Sequence, residues 1–172
     1  PLTTYGKAKL FASLFLKKLY KKKKFPFTVL RFYQVYGPYQ DYNRLIPFVI
    51  KSCLKNKKFP CSDGNQFRDF AYIDDIVEAI FKSLDSELSK GKIINIGSGK
   101  SYKIKNIIEY IKKKINGGNP MYGVIRLRKD EMIKIAPKLN LANKTVLKWK
   151  AKTSLRKGLD KTIFYFKKEL NI

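Results

Sequence analysis

Lys92-Ile93-Ile94-Asn95-Ile96-Gly97-Ser98-Gly99-Lys100-Ser101 runs almost directly into the apolar-periodic stretch Ile104–Ile115, and this passage decides the fold class. An Ile-rich run closed by Gly-Ser-Gly and followed by helical spacing reads as strand, turn and helix. Its tail, Gly99-Lys100-Ser101, imitates the end of a phosphate-binding loop in the right context. The complete loop needs another Gly five residues before the Gly–Lys pair, and Ile94 stands there. A β-branched residue cannot make the tight turn that wraps successive N–H groups around a phosphate. The passage is therefore read as a Gly-rich link between a strand and a helix.

Working outward, the same alternation recurs. A helix is expected from Tyr5 to about Tyr20, with Leu10, Phe11, Leu14, Phe15 and Leu19 on one face and the Lys21–Lys24 run at its end. Phe27–Phe32 reads as a buried strand, Tyr36-Gly37-Pro38 as a turn, and Arg44–Lys55 as a helix. Phe67–Tyr72 looks extended. Asp74 or Asp75 then opens a helix to about Leu84, with Ile76, Val77, Ile80 and Phe81 expected inward. Gly117-Gly118 breaks the helix that ends at Ile115, Arg126 to Asn143 gives no clear pattern, and a last helix runs from Thr153 or Ser154 to Leu170. Strands alternating with helices predict an α/β fold.

The chain has 172 residues, enough for one compact unit, and is 44% hydrophobic. It contains no His, which excludes imidazole bases and imidazole metal ligands. Cys53 and Cys61 are too few for a disulfide framework and lack metal-ligand spacing, which suits a reducing cytosol and predicts a cytoplasmic protein without a metal. No apolar run reaches membrane-span length, so no membrane association is expected. The chain opens on Pro1 rather than Met, and we read it as a fragment of something longer.

The formal charge of +25 comes from 38 basic against 13 acidic residues, and only six of the basic ones are Arg. A nucleic-acid surface usually shows Arg as well as Lys, because the guanidinium fork reads phosphates and guanines. Here the Lys are spread along the chain and close amphipathic segments. Lys together with Ile, Asn, Tyr and Phe is also what codons poor in G and C produce. No nucleic-acid partner is expected, only a mild pull on anionic ligands.

Tyr5-x-x-x-Lys9 places a phenol and an ammonium on one helix face, where the cation stabilises phenolate and makes an acid/base. With 11 Tyr and 32 Lys such pairs arise by chance, and Tyr20/Lys24 and Tyr110/Lys114 have the same spacing. The surroundings separate the first pair from the others. Pro1-Leu2-Thr3-Thr4-Tyr5-Gly6-Lys7-Ala8-Lys9 resembles the P-x-S/T-x-Y-G-x-S/A-K segment of extended short-chain dehydrogenases/reductases, the nucleotide-sugar epimerase/dehydratase family. Leu30-Arg31-Phe32-Tyr33-Gln34-Val35-Tyr36-Gly37-Pro38 resembles its R-x-x-N-V-Y-G-P block, and Leu45-Ile46-Pro47 its L-I-P. Asp63-Gly64-Asn65-Gln66-Phe67-Arg68-Asp69-Phe70-Ala71-Tyr72-Ile73-Asp74-Asp75 is similar to its G-D-G-x-Q-x-R-D-F-x-Y-V-D-D, and Asn95-Ile96-Gly97-Ser98-Gly99 to its N-I-G-S-G. Leu147-Lys148-Trp149 through Gly158-Leu159 resembles its closing L-G-W-x-P-x-T-S-L-x-x-G-L.

The resemblance implies the C-terminal part of a Rossmann-like doubly wound domain plus a small mixed α/β substrate-binding subdomain. Residues 1–172 would be one unit of a longer enzyme, homodimeric at full length, whose N-terminal dinucleotide-binding half is missing. It implies NAD, with NADP the alternative, and a nucleoside-diphosphate sugar oxidised to a keto intermediate. Tyr5 would be the acid/base and Lys9 its partner at the nicotinamide ribose. Tyr33 would pack at the nicotinamide. Gln34, standing where Asn is usual, and Leu45 would contact the substrate, and Arg68 would pair with its diphosphate. Further features depart from the family pattern. The G-x-x-G-x-x-G turn, the Ser/Thr of the catalytic set and the acidic residue that reads the adenosine ribose are absent. Lys148 replaces a Gly, and Lys138–Lys144 lacks the usual Asp. Arg126, Arg128 and Asp130 are candidates for a last nucleotide contact. Two alternatives stay open, a non-catalytic sugar-nucleotide binding module and a basic nucleic-acid-binding domain.

Overall fold

Thr3 closes the first turn of α1 (Thr4–Lys23), its hydroxyl accepting the Gly6 N–H at 3.1 Å. In this computed structural model, which describes residues 3–128, 131–135 and 145–172, the helix stops where Lys24 turns left-handed (φ 55°). Lys21, Lys22 and Lys23 occupy its last turn, where cations complement the exposed carbonyls. The chain then enters β1 (Thr28–Phe32), which pairs in parallel with β5 (Lys92–Ile96) from Thr28↔Lys92 to Phe32↔Ile96. Parallel neighbours need a long crossover, and the elements between β1 and β5 supply it.

That crossover holds β2 (Gln34–Tyr36), α2 (Leu45–Leu54), β3 (Lys58–Pro60), β4 (Phe67–Tyr72) and α3 (Ile73–Asp85). β4 is the central strand of the second sheet, buried from Arg68 to Tyr72. It pairs in parallel with β2, antiparallel with β6 (Ser101–Lys103) and in parallel with β8 (Lys134–Ile135). β3 pairs with β7 (Asn119–Met121). Among the described residues a 3-10 turn (Glu87–Ser89), α4 (Ile104–Ile115) and α5 (Leu155–Glu169) complete the elements, so the α/β reading holds.

Two cores result. The larger one packs α2, α4 and α5 against β4 through Ile46, Val49, Ile50, Ile107, Ile108, Ile111, Leu159, Ile163 and Phe166. Each such side chain contributes about 1.5–3 kcal/mol relative to exposure, which makes this cluster the main stabilising mass. Close approach of the loop after α4 to α2 depends on Gly118 (φ 83°), where a Cβ would lie 2.8 Å from Cys53 Cα. The smaller core joins Ala71, Ile76, Ala79, Ile94 and Ile96 to Leu147 and Trp149.

The helix faces differ from expectation. On α3, Ile76 is buried, but Val77, Ile80 and Phe81 are exposed rather than inward. α3 is amphipathic as its periodicity says, yet only one edge of its apolar face meets β1, β2 and β4 among the described residues. α1 buries only Ser13 and leaves Phe11, Leu14 and Phe15 in the open. Pro1, Leu2, Asp130 and Lys138 to Lys144 lie outside the described residues.

Candidate active site

The carboxyl ends of β1 and β5, the start of β2 and the first half of β4 converge on one cavity of about 440 Å³. Crevices of this kind lie where ligands bind in open α/β sheets. Arg31, Tyr33, Gln34, Arg68, Asp69, Asn95 and Ile135 contribute to its wall. Tyr33 is held there by its main chain, its N–H donating to Ile96 O at 3.1 Å. Three of the expected site residues, Tyr33, Gln34 and Arg68, therefore meet in one place although 34 positions separate the last two in sequence.

Asp69 explains the imitation phosphate loop. Fully buried, it accepts the Ser98 N–H at 2.8 Å and the Gly99 N–H at 2.6 Å, while Lys100 N–H turns to Ser98 Oγ. The donors that a phosphate would need are already used, so this turn joins β4 to β5 and is not an anion seat. Burial pushes the Asp69 carboxyl up, against the lowering effect of these donors.

Arg68 is the buried cation of the cavity. Its guanidinium donates to the carbonyls of Phe67 at 2.8 Å and Ile133 at 3.3 Å, and Nη2 donates to Glu131 Oε1. The other Glu131 oxygen accepts from Arg128 Nη2 at 3.1 Å. Burial would push the Glu131 carboxyl up, but the hydrogen bonds and charges of Arg128 and Arg68 hold it below the usual carboxylate range. Arg128 was a candidate in the sequence; Glu131 was not, and its only signal was an acidic side chain in the basic stretch Arg126–Lys134.

Tyr5 and Lys9 occupy the first turns of α1, with the Lys9 ammonium 5.5 Å from the Tyr5 ring centroid and both side chains exposed. Lys9, Gly6 and Leu10 share a smaller cleft with Arg31. Arg31 thus lines both that cleft and the Arg68 cavity, so the two are neighbours. Leu45 stands apart, half-buried in a third cavity of about 280 Å³ with Phe48, Pro60, Cys61, Ile104 and Ile125. Phenol, ammonium and open solvent suit the hydroxyl-rich ribose end of a dinucleotide. A pyrophosphate would need a seat other than the Gly97–Gly99 turn. Among the described residues, no group of three or more Cys, Asp or Glu could hold a metal, and no helix is long and apolar enough to cross a membrane.

Comparison with known proteins bears on the family and the fold. The model of the NAD dependent epimerase/dehydratase family matches residues 1–97. CDP-abequose synthase of Salmonella muenchen is 35% identical over 139 residues, which is 80% of this chain and 47% of that protein. The structure of UDP-glucose 4-epimerase with UDP-glucose from Thermotoga maritima superposes with a TM-score of 0.90 at 28% identity, over 99% of this chain and 55% of that one. That of dTDP-glucose 4,6-dehydratase from Bacillus anthracis in complex with NAD gives 0.88 at 26% identity, over 99% and 54%. The chain spans about half the length of the relatives it matches.

Proposed function

Because the chain belongs to the NAD-dependent epimerase/dehydratase family, we propose that it forms the catalytic-helix and substrate-binding portion of an enzyme acting on a nucleoside-diphosphate sugar. The observation that carries this reading is the cavity whose wall Arg68 shares with Tyr33 and Gln34, next to the Lys9–Arg31 cleft. A buried guanidinium suits a diphosphate, since its planar fork makes charge-assisted paired bonds.

In this reading Tyr5 Oη takes the proton of a sugar hydroxyl, or returns it. Lys9 holds the phenol electrostatically and donates to a ribose hydroxyl. NAD, or NADP, supplies the hydride acceptor, so that the sugar passes through a keto form. Tyr33 supports the nicotinamide end, Gln34 donates an amide to the sugar or diphosphate, and Arg68 takes the diphosphate. Leu45 backs an apolar cavity suited to a flat base.

The uncovered surfaces support the remaining proposals. β1 has β5 on one edge and no strand on the other among the described residues, and Phe11, Leu14 and Phe15 of α1 and Ile80 and Phe81 of α3 are exposed. We assign these faces to a dinucleotide-binding half and to a second copy in a cytoplasmic homodimer. The test is titration of the chain with UDP-, dTDP- and CDP-glucose. Saturable binding lost in Arg68→Gln is expected, and binding indifferent to that change would reject the reading. Turnover is tested in an enzyme that joins these residues to a dinucleotide-binding half, where Tyr5→Phe should abolish it while leaving sugar-nucleotide affinity in place.

A further inference from the structure

The protein's own groups engage Arg68 on both of its terminal nitrogens. The carbonyls of Phe67 and Ile133 hold its Nη1 from one side, and Glu131 takes its Nη2. The Arg68 side chain is only 9% exposed and that of Glu131 21%, whereas Arg128, on the other carboxylate oxygen, is 73% exposed. The backbone fixes this arrangement: β8 lies beside β4 with Arg68↔Ile135, and Phe67 N–H donates to Ile133 O at 2.7 Å. A guanidinium kept this dry without a counter-charge would cost several kcal/mol. A cavity that stores an Arg for an anionic ligand therefore needs an anion of its own while the ligand is away.

We propose that Glu131 is that internal anion: it holds the Nη2 arm of Arg68 while Nη1 stays on the two carbonyls, and a diphosphate must displace it from that arm to bind. The proposal rests on the reading of Arg68 as the diphosphate ligand. Exchange replaces one charge-assisted bond by another, so Arg68 stays oriented throughout and pays no search for its rotamer. Arg128, tied to the outer oxygen of Glu131 and mostly in solvent, can follow the carboxylate as it leaves. The device also sets a threshold. Apparent affinity is the intrinsic affinity reduced by the fraction of molecules whose fork is open, so anions weaker than a diphosphate compete poorly with Glu131.

Inorganic pyrophosphate, which has neither base nor ribose, isolates this step. Titrated at neutral pH and fixed ionic strength, Glu131→Gln should bind it about tenfold more tightly than the wild type if the fork is open about one time in ten. In the wild type the carboxyl ¹³C resonance of Glu131 should move as pyrophosphate saturates the site. Equal or weaker binding by Glu131→Gln, or a Glu131 resonance unmoved at saturation, overturns the proposal. Should Glu131→Gln fail to fold, Glu131→Asp, one methylene short of the fork, must tighten binding in its place. Arg68→Gln keeps the two failures apart. If it leaves pyrophosphate affinity unchanged, the assignment of Arg68 is wrong; if it abolishes binding while Glu131→Gln gains nothing, only the displacement step is wrong.

Discussion

The carboxylate of Asp69 takes the backbone N–H of Gly99 at 2.6 Å, with the neighbouring Ser98 N–H on its other oxygen at 2.8 Å. One buried side chain thus ties the centre of β4 to the turn that ends β5. It keeps together the two strands that supply Arg68 and Asn95 to the cavity. Asp69→Ala removes the shared acceptor of two backbone donors in a half-buried to exposed turn, which should cost about 1–3 kcal/mol. Asp69→Asn keeps one acceptor and should lose less. Urea denaturation measures both, and an Ala variant within about 0.5 kcal/mol of the wild type would place the clip outside the stability of the fold.

The two cysteines should be chemically silent. Cys53 and Cys61 are free and buried, and burial pushes the Cys53 thiol up to about 11 and the Cys61 thiol in the same direction. The thiolate is the reactive form, so neither residue should react with a disulfide reagent at neutral pH in the folded protein. Both should react on denaturation. A fast-reacting native thiol would contradict the packing of α2 against the loop after α4.

The strand runs at Phe27–Phe32 and Lys92–Ile96 were legible from their apolar content. β1 was expected to be buried, but it is half-buried at Thr28–Leu30 and exposed at Arg31 and Phe32. The pairing of β1 with β5 follows once α3 is seen as a crossover. The strands β2, β3, β6, β7 and β8 were not legible. Each has two or three residues, too few for a period of two to show. The exposed Val77, Ile80 and Phe81 reveal a different limit: periodicity identifies an apolar face without saying what covers it. At the site, Arg68 could be read from its motif. Glu131 could not, because its role comes from the β4–β8 register that carries it alongside Arg68.

Trp149 reports on the smaller core. It is the only Trp of the chain, it is buried among residues of β4, α3 and β5, and its indole N–H has no hydrogen-bond partner among the described residues. A buried indole should emit at shorter wavelength than free tryptophan and move to the red on unfolding. Coincidence of this transition with that of far-ultraviolet circular dichroism would mean that both cores melt together. An earlier fluorescence transition would mean that the smaller core opens first.

The Arg68–Glu131–Arg128 chain should leave a mark on acid stability. Glu131 has its carboxyl held below the usual range, so the folded state binds its proton less readily than the unfolded state does. The stabilisation is therefore present above the ordinary glutamate value, near 4.3, and is lost as pH falls through the lower folded value. The melting temperature of the wild type should exceed that of Glu131→Gln at neutral pH, and the gap should close on acidification. A gap independent of pH would mean that the charge of Glu131 contributes nothing.

Gly158 sits where α5 crosses the Tyr36 ring. A Cβ at this position would stand 2.1 Å from Tyr36 Oη and 2.9 Å from Cζ, while the hydroxyl is needed at Leu155 O, 3.2 Å away. Tyr36 is buried, with its ring packed edge-on against Phe70 and Tyr72. Gly158→Ala should therefore destabilise the protein by about 1–3 kcal/mol through overpacking, although Ala is the better helix former at a position inside α5. The clash is mainly with the hydroxyl, so Tyr36→Phe should relieve part of it. Alone, Tyr36→Phe loses one hydrogen bond, about 1 kcal/mol. Combined with Gly158→Ala, the two should cost less than their sum, because the second removes the atom the first collides with. A double-mutant cycle by urea denaturation decides the point: strict additivity would mean that α5 shifts away from Tyr36 and takes the strain elsewhere.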